Sequence, residues 1–145
     1  MAEGEGHVDL DEDMDPWMTS ERRAQRWIEA YAAAWRSGDA EGAAELFAED
    51  CAMRSHPFRE PEDAREYTRR EFGRERAREV WFGAPVILGT RVAVEYWASM
   101  EEDGQDVTLA GCCVLNLGPD GRCRSLRDYW AMQPGRTPPP KGWGH

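Results

Sequence analysis

Apolar residues recur along this chain with two distinct periods, and the change from one to the other divides it in half. Between residues 24 and 35, Ala24, Trp27, Ile28, Tyr31, Ala34 and Trp35 fall three and four apart, the spacing of an amphipathic helix. Thr19 or Ser20 is placed to cap its start and Gly38 its end. Trp27, Tyr31 and Trp35 then share one face. Asp39 can cap a second short helix that buries Ala43, Leu46 and Phe47 and stops at Glu49 and Asp50. Residues 51–56 read as a short strand halted by Pro57, and a highly charged third helix runs from Pro61 to about Phe72. Beyond it the period falls to two. Strands are predicted at about 78–88, 91–102, 105–117 and 123–132, with hairpin turns at Asp103-Gly104 and at Gly118-Pro119-Asp120-Gly121. Three helices followed by antiparallel strands imply an α+β domain with its helices on one side of a bent sheet.

The last strand contains one irregularity. Leu126, Trp130 and Met132 occupy even positions, and Asp128 shares their parity, so a carboxylate points to the side that the apolar residues bury. An unpaired buried charge is costly. An Arg at a strand end, a hydroxyl donor, or a pocket role that wants a carboxylate with a raised pKa must compensate it. Register bears on the choice. A two-residue turn at Asp103-Gly104 sets Tyr96 opposite Gly111, and pairing Gly118 with Gly121 sets Asp128 opposite Gly111 as well. The bare glycine would leave a gap roughly 10 Å wide between the two polar side chains, room for a ligand. A bulge at Gly121 would shift this register and turn Asp128 outward.

Charge and cysteine content narrow the class. The formal net charge is -10, but residues 1–16 hold seven acidic and no basic side chains, so the remainder is nearly balanced. No basic footprint suits a phosphate backbone, so nucleic acid is not an expected partner. Residues 1–16 are expected to be a solvated acidic tail, residues 17–133 the folded body, and residues 134–145 a Pro/Gly-rich extended tail, with Trp143 available to lie back. The four cysteines form no CxxC pair and have no His at metal-site spacing. A reducing cytoplasm is the simpler setting. No apolar run approaches the roughly 20 residues of a membrane span, and no metal, nucleotide or flavin motif is present, so no cofactor is expected.

The stretch WIEAYAAAWRSGDAEGAAELFAEDCAMRSHPF, the WFGAPVILGTRVAVEYWA hairpin and the closing SLRDYW strand resemble the nuclear transport factor 2-like superfamily, within it the SnoaL-like small-molecule branch, over roughly residues 20–133. The resemblance implies a cone, in which a strongly curved antiparallel sheet wraps a long N-terminal helix and leaves an apolar pocket at the open end. It leaves the chemistry open, because the fold hosts isomerases, cyclases, epoxide hydrolases and non-catalytic binders. Tyr31 matches the oxyanion-hole tyrosine of ketosteroid isomerases, whereas Ser55 and Cys113 stand where those enzymes keep two aspartates. A serine cannot take the proton, and a thiol is a weak donor. Asp128 matches the base of limonene epoxide hydrolases in a similar RDY context, but Tyr96 and Ala98 replace the partner Arg and second Asp. SnoaL-like polyketide cyclases also place a carboxylate base in the pocket.

The expectation is therefore a small-molecule-binding protein that acts by proton transfer on an apolar organic substrate. Asp128 would be the base, Tyr31 the oxyanion donor and His56, at a strand end, a proton shuttle. A surface-turn histidine and a core tyrosine are the plainer roles for His56 and Tyr31. Tyr96, Trp27, Met53, Ser55, Phe58, Gly111, Cys113 and Trp130 would form the substrate-binding wall. The competing class is a non-catalytic binding or dimeric assembly module. A homodimer is expected through the outer sheet face, where Trp97 would stand exposed.

Overall fold

The computed structural model describes residues 18–74 and 76–145, so the acidic segment 1–16 lies outside the described residues. Helix α1 spans Ser20–Ser37; the Thr19 hydroxyl accepts from the Arg22 N–H, and Gly38, at φ 72°, ends it in the left-handed conformation. Asp39 caps α2 (Ala40–Ala44) by accepting from the Gly42 N–H at 2.9 Å. This helix is shorter than expected, because Phe47 already begins strand β1 (Phe47–Arg54). A two-residue strand β2 (Glu62–Asp63) precedes α3 (Ala64–Arg74), three residues later than its Pro61 start signal. Then come β3 (Arg76–Phe82), β4 (Val86–Leu88), β5 (Arg91–Glu102), β6 (Gln105–Leu117) and β7 (Cys123–Pro134).

The seven strands form one mixed sheet in the order β2-β1-β7-β6-β5-β3, with β4 also paired to β5. It is antiparallel except that β1 runs parallel to β7. The predicted strand 78–88 is two strands, because the Gly83-Ala84-Pro85 segment breaks the ladder and both pieces still pair with β5. The sheet curves around α1, consistent with the cone. Trp27 fixes the helix in place: it is buried, and its indole N–H donates to the Leu46 carbonyl at 2.9 Å. At the other end Arg36 donates to the Val80 carbonyl at 2.7 Å, tying α1 to β3. Among the described residues, no helix is long and apolar enough to cross a membrane.

Two expectations about the outer face change. Residues 134–145, expected to run free, fold back over the sheet: Thr137 N–H donates to Thr108 Oγ1 at 2.9 Å, Ala84 N–H donates to the Gly144 carbonyl at 2.7 Å, and Arg136 pairs with Glu79. Trp97 is consequently half-buried, since its indole N–H donates to the Thr137 carbonyl at 2.8 Å and its ring meets Trp143 edge-on at 6.0 Å. The chain thus covers with its own C-terminus the indole that had suggested a second copy. Close approach of Gly83 to Gly144 permits this, because a Cβ on Gly83 would stand 2.8 Å from the Gly144 Cα.

Candidate functional site

The β5–β6 hairpin has the expected register, with Tyr96 opposite Gly111. The next hairpin does not. Gly118 pairs with Arg122 rather than Gly121, with Gly121 at φ 80°, and a bulge between the Asn116 and Leu117 pairs inserts one more residue on β7. Two single-residue shifts restore parity, so Asp128 still faces inward but stands opposite Cys113, while Trp130 stands opposite Gly111. The gap over Gly111 is not open. The Tyr96 phenol lies across it, and a Cβ there would meet Tyr96 Oη at 2.7 Å and the Tyr129 carbonyl at 2.6 Å. Crossing the glycine brings the Tyr96 hydroxyl to Asp128, where it donates to Oδ1 at 2.7 Å. A ligand therefore cannot lie between these two groups.

Between α1 and the sheet lies a cavity of about 520 Å³, within the range of small-molecule sites. Its floor is Trp27, Tyr31 and Trp35, the shared helix face read from the sequence. Tyr31 stacks on Trp27 at 5.0 Å and meets Phe47, Phe72 and Phe82 edge-on near 6 Å, so its ring is held on several sides. The wall comes from Met53, Phe82, Tyr96, Met100, Leu109 and Cys113, and from Leu126, Asp128, Trp130 and Met132 of β7. Arg59, Glu62, Tyr67, Arg70, Glu71, Phe72, Arg74 and Glu102 complete the rim.

Burial among the aromatic and aliphatic side chains of the wall pushes Asp128 from 3.8 up to about 7, against the smaller lowering effects of the Tyr96 hydroxyl, the Tyr129 backbone N–H and the Arg59 charge. Burial and the neighbouring Asp128 push the Tyr96 phenol and the Cys113 thiol well above their ordinary values, so both remain protonated at neutral pH. The cavity thus presents a carboxyl group that exchanges its proton near pH 7, beside a fixed phenol donor.

Of the residues expected to build the site, Asp128, Tyr31, Tyr96, Trp27, Met53, Cys113 and Trp130 line this cavity, and Ser55, His56, Phe58 and Gly111 do not. Ser55 is buried behind the wall, where its carbonyl accepts the Trp130 indole N–H at 2.6 Å. His56 packs edge-on against Trp130 at 5.0 Å, and its Nδ1 accepts the Phe58 N–H, as a turn histidine does. Phe58 is 92% exposed and turned to solvent. Gly111 shapes the site by what it lacks. Arg59, Phe82, Leu109 and Met132 were missed. Leu109 and Met132 share the parity of Cys113 and Asp128 and could have been found from it; Phe82 needed the break at Gly83, and Arg59 sits in a loop with no periodicity. Among the described residues no three His, Cys, Asp or Glu side chains converge as metal ligands would.

The family model described as SnoaL-like domain matches residues 28–126. No curated protein matches the sequence significantly. Solved structures do. The epoxide hydrolase/cyclase-like enzyme SalBIII, described in pyran ring formation in the polyether salinomycin, is 20% identical with a TM-score of 0.70, covering 81% of this chain and 100% of its own. An LEH-like epoxide hydrolase from M. tuberculosis is 21% identical, TM-score 0.66, covering 78% of this chain and 86% of its own. A proposed polyketide cyclase from Xanthomonas campestris pv. campestris is 23% identical, TM-score 0.63, covering 78% and 93%. At these identities the likeness is one of fold.

Proposed function

The chain belongs to the SnoaL-like domain family, and from that premise we propose that it binds a small, largely apolar organic molecule in the cone and acts on it by proton transfer, as an isomerase, cyclase or hydrolase. One observation carries the reading: a buried carboxyl group on the cavity wall, with its pKa raised to about 7 and a phenol donor 2.7 Å away. A base of that strength is half-ionised near neutrality, where it can take a proton from carbon beside a carbonyl or from a water attacking an oxirane. Tyr96 holds the carboxylate in one orientation and leaves its remaining lone pairs to the substrate. Tyr31, caged by aromatic rings on the floor, is the donor to the oxygen on which charge develops. The names of the structural neighbours, which include epoxide hydrolases and cyclases, suit this chemistry.

The test is a panel of epoxides, β-dicarbonyl compounds and unsaturated ketones, assayed for ring opening, cyclisation and double-bond migration. Turnover by the wild type that disappears in Asp128→Asn, with ligand affinity kept, supports the proposal. Binding without turnover in both proteins would leave the non-catalytic module. The proposal includes a cytoplasmic setting, with which four free thiols agree. It also includes a homodimer through the outer face, now centred on the 44%-exposed Tyr129 rather than Trp97. A concentration-independent monomer in sedimentation equilibrium would refute the dimer.

A further inference from the structure

The rim of the cavity carries three arginines, and they are not equivalent. Arg70 bonds to Glu62 at 2.9 Å and to Glu71 at 3.1 Å, and Arg74 reaches Glu71 at 3.4 Å. These two are neutralised where they stand. Arg59 is held differently. Its guanidinium lies over the Trp130 ring, 5.4 Å from the centroid, and one N–H donates to Ser55 Oγ at 3.2 Å. Among the described residues no carboxylate lies within ion-pair distance of it. A guanidinium has five donors, so most of its fork is left without a protein acceptor.

The platform beneath it is rigid. Trp130 is fastened by its indole N–H to the Ser55 carbonyl at 2.6 Å and braced by the edge of His56 at 5.0 Å. Packing rather than a counter-ion therefore positions Arg59, and a cation so held loses little further freedom when it meets an anion. The acidic side chains of the rim do not cancel it. Glu62 and Glu71 are taken up by Arg70 and Arg74, and Glu102 lies six residues along β5 from Tyr96, roughly 20 Å from that residue at 3.3 Å per residue. Asp128 stands two residues from Trp130 on the same face of β7, roughly 7 Å along the strand, close enough for the Arg59 charge to act on its carboxyl group without an ion pair forming.

We infer that Arg59 is the specificity-determining residue for an anionic end of the substrate: the molecule carries a carboxylate that docks on the Arg59 fork at the rim, a reacting carbon–oxygen group a few bonds away at Asp128, and an apolar remainder on the Trp27–Tyr31 floor. The inference rests on the cavity being the substrate site, and it adds the substrate's charge and orientation to that reading. It also accounts for a rim arginine that is held over an aromatic ring instead of in an ion pair.

The probes are 4-phenylbutyrate and its uncharged isostere 4-phenylbutyramide, titrated into the full-length protein by calorimetry at pH 6, where the probe acid is ionised and Asp128 is largely neutral. The wild type is expected to bind the acid at least tenfold more tightly than the amide. Arg59→Gln should abolish that preference while changing amide affinity by less than twofold, and Arg59→Lys, which keeps the charge but loses the fork, should restore part of it. Equal binding of acid and amide by the wild type, or a preference that survives Arg59→Gln, would overturn the inference while leaving the cavity and Asp128 untouched. Failure of both probes to bind would overturn the inference together with the cavity reading. Loss of turnover in Asp128→Asn is a separate readout, so a failed preference with both probes bound leaves the base proposal standing, whereas failure of both probes removes the cavity that the two proposals share.

Discussion

Replacing Asp128 by Asn removes the proton acceptor and keeps the shape, and the structure says what this should do to stability as well as to turnover. The carboxyl pKa rises from 3.8 to about 7 on folding, mainly through burial. A group whose folded pKa is raised favours the folded state most when protonated. Its contribution is therefore complete below about pH 4 and is lost as pH rises through about 7. Three units at about 1.36 kcal/mol each set a ceiling of roughly 4 kcal/mol, and water entering at the rim reduces the expected loss to roughly 2 to 4 kcal/mol. The Asn variant has no such titration, and its amide oxygen can still accept from Tyr96. Urea denaturation between pH 4 and 8.5 should show wild-type stability falling as pH rises and levelling off above about 7, while Asp128→Asn lacks that component. The variant should match the wild type near pH 4, be the more stable protein by roughly 1 to 2 kcal/mol at pH 5, and keep its full advantage above about pH 7. Parallel curves, or an Asp128 carboxyl carbon that titrates by NMR below 3.8, would refute the reasoning and leave a structural ion pair in place of a base.

Tyr96→Phe deletes the hydroxyl that favours the ionised carboxylate, so the Asp128 pKa should rise further, by about one to two units given a charged hydrogen bond worth roughly 1.5 to 3 kcal/mol; the same NMR titration checks it. Gly111→Ala puts a methyl group 2.7 Å from the Tyr96 oxygen and 2.6 Å from a backbone carbonyl, and should cost about 1 to 3 kcal/mol in thermal or urea unfolding while lengthening the Tyr96–Asp128 contact. Truncation after Gly135 removes the acceptor for the Trp97 indole and its Trp143 contact, so the remaining domain should lose about 2 kcal/mol and show red-shifted tryptophan emission; an unchanged spectrum and midpoint would mean that the C-terminal segment does not pack as described.

What the sequence determined here was periodic or local. The Trp27, Tyr31, Trp35 face needed only the helical spacing, and the Asp39 cap and the Asp103-Gly104 turn needed only their own few residues, because such preferences act between near neighbours. The inward parity of Asp128 was likewise readable from Leu126 and Trp130. Tertiary structure decided the rest. The parallel pairing of β1 with β7, the two compensating shifts that set Asp128 against Cys113, and the phenol of Tyr96 lying across Gly111 each depend on how separate segments pack. Arg59 joined the rim through a loop with no period to betray it, and the C-terminal segment closed over Trp97 although its proline content alone favoured an extended tail. The physical reason is common to all of these. A side chain's direction is set by its own backbone, but its partner is set by contacts between residues far apart in the chain, which composition and spacing do not encode one segment at a time.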